Sequence, residues 1–276
     1  MYKIVGKTFG SLDNKFYLCR IINKNSEMEV NTIYQEDCMS TISRMDDNSV
    51  DLVLTSPPYN IIRPNSTDRG YDLYRDGMSN DDYSKWCCGI FNAMDRALKK
   101  DGCIIWNMSY GCENTECMPL TIAEIIKNTN FTMADIIVWK KKSATPNNVS
   151  HNKLTRIVEF VYIFCRKSEF MTFKTNKKII KQRETNQPIY ENIFNFIEAP
   201  NNDNSTDLNK ATFSSLFVGK LLNIYANDGS TVYDPFMGTG TTAIGCIRRK
   251  LNYIGRELSD AQCKYAERRI HARIVN

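Results

Sequence analysis

The sequence predicts an α/β protein whose core is a mostly parallel β-sheet covered by helices. Short apolar runs alternate with helical segments from residue 29 onward, which is the order typical of this class. Two of these runs end in unusual turns. Ser56–Tyr59 follows the run Val50–Leu54, and a glycine-rich turn follows Ser230–Tyr233. Because ligands bind beyond the carboxyl ends of the strands in open α/β sheets, both turns are candidate sites.

The individual elements follow from apolar periodicity and from residues that cap or break helices. Strands are predicted at Val30–Tyr34, Val50–Leu54, Cys103–Met108, Phe131–Trp139, Ile157–Cys165, Ser230–Tyr233 and Asn252–Gly255. Helices are predicted up to Met45, from Ser79 and Asp82 to Lys100, at Met118–Lys127, at Thr212–Tyr225, up to Lys250, and after a capping box of Ser259 and Gln262. A polar loop that opens with Lys140, Lys141 and Lys142 joins two of the strands, which predicts an antiparallel hairpin.

Composition divides the chain into three regions. Residues 1–28 have no clear period and are interpreted as an N-terminal arm. Residues 29–165 and 211–276 carry the alternating pattern and form the main domain. Residues 166–210 are rich in Asn, Lys and Thr and are interrupted by Pro188 and Pro200, which predicts a small inserted lobe.

Length and charge set broad limits on function. The 276 residues carry a net charge of +5, which is compatible with a polyanionic partner but does not argue for one alone. The ten cysteines lack the spacing of zinc sites and only His151 and His271 could assist them, so we expect free thiols and no metal. No signal peptide or membrane-length apolar run is visible, which predicts a cytoplasmic protein, or a nuclear or viral one if the source is not bacterial.

The turn after the strand Val50–Leu54 combines stiffness with hydrogen-bond acceptors. Pro57 and Pro58 each have a fixed φ and no N–H, so their carbonyls are expected to lack local donors. Together with Ser56 and the ring of Tyr59, these carbonyls suit a planar ring that bears an exocyclic amine. A Pro-Pro turn that only ends a strand is the alternative for this motif taken alone.

The glycine-rich turn between Asp234 and Thr242 is the second candidate site. Gly238 and Gly240 allow a ligand to approach the backbone at a helix N-terminus. Glu257 lies 17 residues past Gly240 at the end of the next strand, as does the acid that holds ribose hydroxyls in nucleotide-binding βαβ units. The phosphate-binding lysine of ATPases is absent, which argues against that class.

Taken together, Ser56-Pro57-Pro58-Tyr59 and the Asp234–Thr242 turn resemble the motifs of the DNA amino-methyltransferases, which methylate cytosine N4 or adenine N6. The first motif precedes the second by 178 residues, which is similar to the permuted beta class. The resemblance covers nearly the whole chain after residue 28. Trp139-Lys140 and Glu159 resemble later motifs, whereas Asn209–Phe213 departs from the His-Pro that often precedes a Phe in the family.

The resemblance implies a Rossmann-like S-adenosylmethionine-dependent methyltransferase fold and methyl transfer to a flipped-out base. Serine at position 56 favours cytosine N4, with adenine N6 as the alternative. The implied catalytic residues are Ser56, Pro57, Pro58 and Tyr59. The implied cofactor-binding residues are Asp37, Thr55, Asp234, Pro235, Phe236, Gly238, Thr239, Gly240, Thr241, Thr242 and Glu257. Candidate phosphate contacts, which could equally be solvated basic loops, are Arg63, Arg69, Arg75, Lys140, Lys141 and Lys142.

The implied partner is double-stranded DNA, read by a target-recognition lobe at residues 166–210. A second copy of the chain and a cognate restriction endonuclease are further candidate partners. The nearest alternative function is a methyltransferase acting on RNA or on a protein glutamine, because a Pro-Pro-Tyr turn can also hold a carboxamide. A catalytically silent nucleic-acid-binding module is the second alternative, and the intact cofactor turn argues against it.

Overall fold

A nine-stranded sheet runs through the part of the chain that the structure describes. The computed structural model describes residues 19–20, 28–60, 77–111, 114–203 and 212–274. Its strands are β1 (Cys19–Arg20), β2 (Thr32–Gln35), β3 (Val50–Thr55), β4 (Leu98–Met108), β5 (Phe131–Lys141), β6 (Val158–Arg166), β7 (Ile179–Gln182), β8 (Pro188–Tyr190), β9 (Phe196–Ala199), β10 (Thr231–Asp234) and β11 (Asn252–Glu257). Its helices are α1 (Cys38–Arg44), α2 (Asn80–Ala97), α3 (Cys117–Asn128), α4 (Ser215–Tyr225), α5 (Thr241–Arg248) and α6 (Asp260–Ile274).

The sheet is mostly parallel, as predicted. Its strand order is β1-β2-β11-β10-β3-β4-β6-β5-β9, and only β6 runs against its neighbours β4 and β5. The predicted antiparallel hairpin of β5 and β6 is therefore confirmed. Strands β7 and β8 form a separate two-stranded ribbon, while β9 joins the main sheet beside β5. The segment 166–210 thus supplies an edge strand of the main sheet as well as this ribbon.

Helices cover both faces of the sheet because the central strands are apolar on both sides. In β3, Leu52 and Leu54 belong to one buried cluster and Val53 to the other. The first cluster includes residues of α4, α5 and α6, and the second includes residues of α1, α2 and α3. Strands that are buried on both faces read as continuous apolar runs, which is why β3 is recognisable in the sequence.

Several predicted boundaries are wrong, most clearly at the junction of α2 with β4 and at the end of β5. Helix α2 ends at Ala97 rather than Lys100, because Leu98 already pairs with Val50 of β3. The chain then turns through Asp101, at φ 58°, and Gly102, where a Cβ would lie 2.7 Å from the carbonyl oxygen of Asp51. Strand β5 continues past Trp139 to Lys141, because β9, which was not predicted, pairs with its last residues.

The described cysteines agree with the expectation of free thiols. The eight cysteines whose side chains the structure describes are all buried, and none of the eight forms a disulfide. Burial raises the pKa of the Cys103 thiol to about 12, so this thiol stays protonated. Among the described residues, no helix is both long and apolar enough to cross a membrane.

Candidate active site and cofactor cavity

The two predicted turns meet at one cavity of about 250 Å³ at the carboxyl edge of the sheet. They meet because β3 and β10 are parallel neighbours, so the turns that follow them leave the sheet side by side. Nine of the predicted residues line the cavity: Asp37, Ser56, Pro58, Asp234, Phe236, Gly238, Thr239, Thr241 and Glu257. The structure therefore brings together two motifs that are 178 residues apart in the sequence.

The glycine-rich turn is organised around the buried carboxylate of Asp234. Thr55 Oγ1 donates a hydrogen bond to Asp234 Oδ1 and Thr242 Oγ1 donates one to Oδ2, both at 2.6 Å. The Phe236 N–H also donates to Oδ1, at 2.9 Å. Burial raises the pKa of Asp234 to about 6 even though these donors oppose the shift. Thr55 and Thr242 thus hold the turn and are not among the cavity-lining residues.

Left-handed backbone conformations shape the start of α5. Gly238 has φ 53° and Gly240 has φ 82°, a region that favours glycine. A Cβ on Gly240 would lie 2.9 Å from the Cβ of Ala266 in α6, so the turn also packs closely on that helix. Gly240 and Pro235 are not among the cavity-lining residues.

A partly buried arginine from α6 holds the other side of this turn. Arg269 donates to the carbonyl oxygen of Thr239 at 2.8 Å and to the hydroxyl of Thr241 at 3.2 Å. Its second nitrogen donates to Asp203 Oδ2 at 2.8 Å, just before the region that leads to α4. Burial lowers the pKa of the Arg269 guanidinium, although Asp203 opposes that shift. Sequence reasoning missed Arg269 because no motif marks it.

Two acids at the ends of adjacent strands lie at the far side of the cavity. Glu257 Oε2 accepts the N–H of Gly238 at 2.9 Å, and its Oε1 accepts the N–H of Ser259 at 2.9 Å. Asp37 caps α1 through the N–H of Met39 at 2.9 Å and leaves 61% of its side chain exposed. Arg256, which the sequence analysis missed, is buried between them and lies 3.6 Å from Asp37 Oδ2.

The Ser56–Tyr59 turn is held from both ends. The hydroxyl of Tyr83 in α2 donates to the Pro58 carbonyl at 2.9 Å, so the prediction that this carbonyl lacks a donor is wrong. The buried Asn60 donates to the Met78 carbonyl at 2.8 Å and accepts the Gly77 N–H at 3.1 Å. These bonds fix the turn against the start of α2.

Ser56 and Tyr59 of this turn belong to a polar network whose central residues, Asn107 and Glu159, are buried. Ser56 Oγ donates to Tyr59 Oη at 2.9 Å, and Tyr59 Oη donates to Glu159 Oε2 at 3.0 Å. Asn107 Nδ2 donates to the same two acceptors, Tyr59 Oη at 2.6 Å and Glu159 Oε2 at 2.8 Å. Lys141 pairs with the other carboxylate oxygen of Glu159, which is 7% exposed. The network fixes the direction of the Ser56 hydroxyl and the plane of the Tyr59 ring.

The predicted phosphate contacts are distributed differently. Lys141 belongs to the network below Tyr59, and Lys140 pairs with Glu198 of β9 at 3.2 Å. Both lie in β5 rather than in a loop, and only Lys142 begins the exposed connection to β6. The three arginines Arg63, Arg69 and Arg75 lie outside the described residues.

The cavity has a second, apolar wall that the sequence analysis did not identify. Trp86 of α2 packs on Phe236, with ring centroids 5.5 Å apart. Further lining residues that were not predicted are Cys38, Met78, Thr212, Phe213, Met237, Leu258 and Gln262. Burial raises the pKa of the Cys38 thiol to about 11, so this group is a neutral part of the wall. Within the described ranges, no group of three His, Cys, Asp or Glu side chains could hold a metal ion.

Comparison with known proteins decides the family. The model of a DNA methylase family of the N6/N4 type matches residues 50–268, which include both turns. The chain belongs to the N6/N4 DNA methylase family. The methylase is 26% identical over 246 residues to type II methyltransferase M2.MboI of Moraxella bovis, and the match covers 87% of each chain.

Solved structures show the same fold. The cytosine-N4-specific PvuII DNA methyltransferase superposes with a TM-score of 0.64 at 18% identity, covering 87% of the methylase and 90% of that chain. The M1.HpyAVI–SAM complex superposes with a TM-score of 0.54 at 21% identity, covering 86% and 98%. The predicted Rossmann-like methyltransferase fold is therefore confirmed.

Proposed function

We propose that this methylase transfers the methyl group of S-adenosylmethionine to the exocyclic amine of a DNA base, with cytosine N4 as the favoured target. The observation that carries the proposal is the single cavity lined both by Ser56 and Pro58 and by the glycine-rich turn. A cofactor held at the turn and an amine held at Ser56 would then share one cavity, and methyl transfer requires this proximity.

The residues of the cavity suit the chemistry of the cofactor. Asp37 and Glu257 are carboxylates, which accept hydrogen bonds from hydroxyls and amines, and Trp86 and Phe236 offer aromatic faces. The backbone turn around Gly238 allows close approach at the start of α5. We assign these residues, with Thr239 and Thr241, to cofactor binding. When bound, S-adenosylmethionine supplies an activated methyl group, so the protein contributes binding, orientation and electrostatics.

The Ser56–Tyr59 turn supplies the acceptors for the amine. Ser56 donates its own proton to Tyr59 Oη and accepts only a long hydrogen bond from Asn107 Nδ2, at 3.4 Å, so its oxygen can accept a further hydrogen bond from a ligand. We assign the second acceptor to the carbonyl of Pro57, because the Pro58 carbonyl already receives the Tyr83 hydroxyl. Pro57 itself is buried and lies next to the cavity lining rather than in it. Two acceptors on one amine favour a pyramidal nitrogen with its lone pair directed at the methyl group. The Tyr59 ring, fixed by Asn107 and Glu159, would stack on the base.

A base inside a duplex cannot reach this cavity, so the target nucleotide has to be flipped out. We assign target recognition to the ribbon of β7 and β8 and to the segment that follows it, up to residue 203. In the sequence these residues lie between strand β6 and helix α4. Cytosine N4 is favoured because serine stands at position 56. Adenine N6 is the alternative, since both amines need the same two acceptors.

The experiment is transfer of labelled methyl from S-adenosylmethionine to DNA, RNA and protein, followed by mass spectrometry of the nucleosides. N4-methylcytosine in DNA is the expected product, and the double variant Ser56→Ala, Tyr59→Ala should produce none. N6-methyladenine would overturn the choice of base. Label in RNA or protein alone would overturn DNA as the substrate.

A further inference from the structure

The loop between β5 and β6, residues 142–157, has no role in the site described above. Strand β5 runs parallel to β4, since both are antiparallel to β6, and β4 is parallel to β3. The carboxyl end of β5 therefore lies at the same edge of the sheet as the Ser56–Tyr59 turn. Lys141, the residue just before the loop, pairs with Glu159 directly below Tyr59. The loop thus leaves the sheet beside the proposed catalytic turn.

The loop presents two aliphatic side chains to solvent almost completely. Val149 is 95% exposed and Leu154 is 88% exposed. Valine and leucine are among the residues most often buried in proteins. Val149 and Leu154 are five residues apart in one loop, and at this exposure neither contributes to the core. Their exposure is the feature of the loop that calls for an explanation.

The remainder of the loop is basic and polar. Residues 142–157 contain Lys142, Lys153 and Arg156, together with three asparagines, and no Asp or Glu. Lys142 and Lys153 are exposed. A basic surface without acids complements the phosphate backbone of nucleic acid rather than the apolar face of a protein.

The base of the loop is anchored, so the exposed residues project from a fixed support. Asn201 donates to the Ser143 carbonyl at 2.8 Å. Arg156 donates to the carbonyl of Tyr110 and lies over its ring, 5.4 Å from the centroid. The Asn147 N–H donates to Thr155 Oγ1 at 3.0 Å, which ties the two arms of the loop together.

We infer that the β5–β6 loop is a DNA wedge, with Val149 and Leu154 inserting into the base stack beside the flipped-out nucleotide. The inference rests on the proposed function, since it needs duplex DNA as the substrate. Proteins that distort DNA commonly insert apolar side chains between base steps, and base flipping leaves a gap that such a side chain can occupy. The basic residues of the loop would hold the neighbouring phosphates.

The test compares two DNA substrates with the full-length protein. One is a fully paired duplex, and the other carries the target base opposite an abasic site, where little pairing energy opposes flipping. In the double variant Val149→Ala, Leu154→Ala, kcat/KM on the paired duplex should fall about tenfold or more, and on the abasic duplex by less than about twofold. Both residues are exposed, so the variant is expected to fold normally.

Met171→Ala provides the matched control. Met171 is 89% exposed but follows the carboxyl end of β6, which lies at the opposite edge of the sheet. This variant should match the unmodified protein on both substrates.

Three outcomes would contradict the wedge. Equal losses on both duplexes would show that the loop contributes only general contacts, and no loss on the paired duplex would show that it does not assist flipping. An unmodified protein that methylates neither duplex would overturn the proposed function and the wedge together. If the unmodified protein methylates DNA but the double variant shows equal losses on both duplexes, or no loss on the paired duplex, only the wedge would be overturned.

Discussion

The carboxylate of Asp234 is buried among three donors at the start of the glycine-rich turn, and this burial has a measurable cost. A carboxylate that leaves water favours its protonated form, which is why the pKa of Asp234 rises from 3.8 to about 6. A folded-state pKa above the unfolded value means that the folded state binds the proton more tightly. The contribution of this proton to the free energy of unfolding is therefore fully present below about pH 4, and it is lost as the pH rises through about 6.

The substitution Asp234→Asn tests this linkage. Because asparagine does not titrate, the unmodified protein should lose about 3 kcal/mol of unfolding free energy relative to the variant between about pH 4 and pH 7. Urea denaturation of both proteins, without cofactor, measures the difference at each pH. A difference that stays constant over this range would show that Asp234 titrates normally.

Tyr59 is the link between Ser56 and the buried network. In Tyr59→Phe the ring remains, but Ser56 loses the acceptor that directs its hydroxyl. The single-turnover rate of methyl transfer should fall about tenfold, since loss of one orienting hydrogen bond is worth about 1 to 1.5 kcal/mol. Tyr225→Phe is the control, because Tyr225 stacks on Phe173 away from the cavity. An unchanged rate in Tyr59→Phe would assign the hydroxyl to folding alone.

At this scale the sequence predicted nine of the residues that line the cavity, but not how each is used. The Ser56–Tyr59 turn was recognisable because two prolines after an apolar strand leave few alternatives. The use of the Pro58 carbonyl by Tyr83 could not be predicted, since it depends on where α2 packs. The pairing of Lys141 with Glu159 likewise depends on the register between β5 and β6, in which Trp139 faces Glu159.

At the scale of the structural element, the turn between β10 and α5 requires a glycine at position 240, whereas helix α2 does not require the glycine at position 89. In Gly240→Ala, the left-handed φ of 82° and a contact of 2.9 Å with Ala266 would strain the turn. We expect about 1 to 3 kcal/mol of destabilisation and weaker cofactor binding. Gly89→Ala in the middle of α2 meets nothing within 4 Å and should stabilise the protein by about 0.5 to 1 kcal/mol. Thermal unfolding and calorimetry with S-adenosylmethionine measure both effects.

The opposite signs make this pair of variants informative. If Gly240→Ala were tolerated with unchanged cofactor affinity, the turn would not need its left-handed backbone. The need for glycine in this turn was predictable from the spacing of Gly238 and Gly240. The contact with Ala266 was not predictable, because it depends on how α6 packs against the turn. Strand β9 was not predicted because its four residues carry no period long enough to distinguish it from a loop.

For the whole molecule, the net charge of +5 matters less than where the positive charge lies. Lys142 and Lys153 lie on the loop at the carboxyl edge of the sheet. Lys127, in the last turn of α3, and Lys250, just after α5, precede strands that begin at the opposite edge. Only the first pair is placed to meet DNA that enters the cavity.

Salt dependence of DNA binding tests this placement. Each phosphate contact contributes about 0.9 to the slope of log K against log salt, so Lys142→Ala, Lys153→Ala should reduce the slope by about 2. The control variant Lys127→Ala, Lys250→Ala should leave it unchanged. Fluorescence anisotropy with a labelled duplex measures the slope, and equal slopes in both variants would place the DNA elsewhere.

The fold class and the mostly parallel sheet were predictable because apolar runs that alternate with helices are typical of α/β proteins. The order of the strands was not predicted. The single cavity was predictable in outline, since parallel strands end at one edge. Its aromatic wall was not, because Trp86 reaches Phe236 only through the packing of α2 on the sheet. The meaning of the loop at residues 142–157 was also invisible, since exposure of Val149 and Leu154 is a property of the fold.

The most direct test of the account is methylation-sensitive sequencing of plasmid DNA from cells that express the protein. The account predicts a modified base in a defined sequence, present with the unmodified protein and absent with Ser56→Ala, Tyr59→Ala. Plasmid DNA that stays unmodified while the protein is folded and binds S-adenosylmethionine would contradict the assignment of DNA as its substrate.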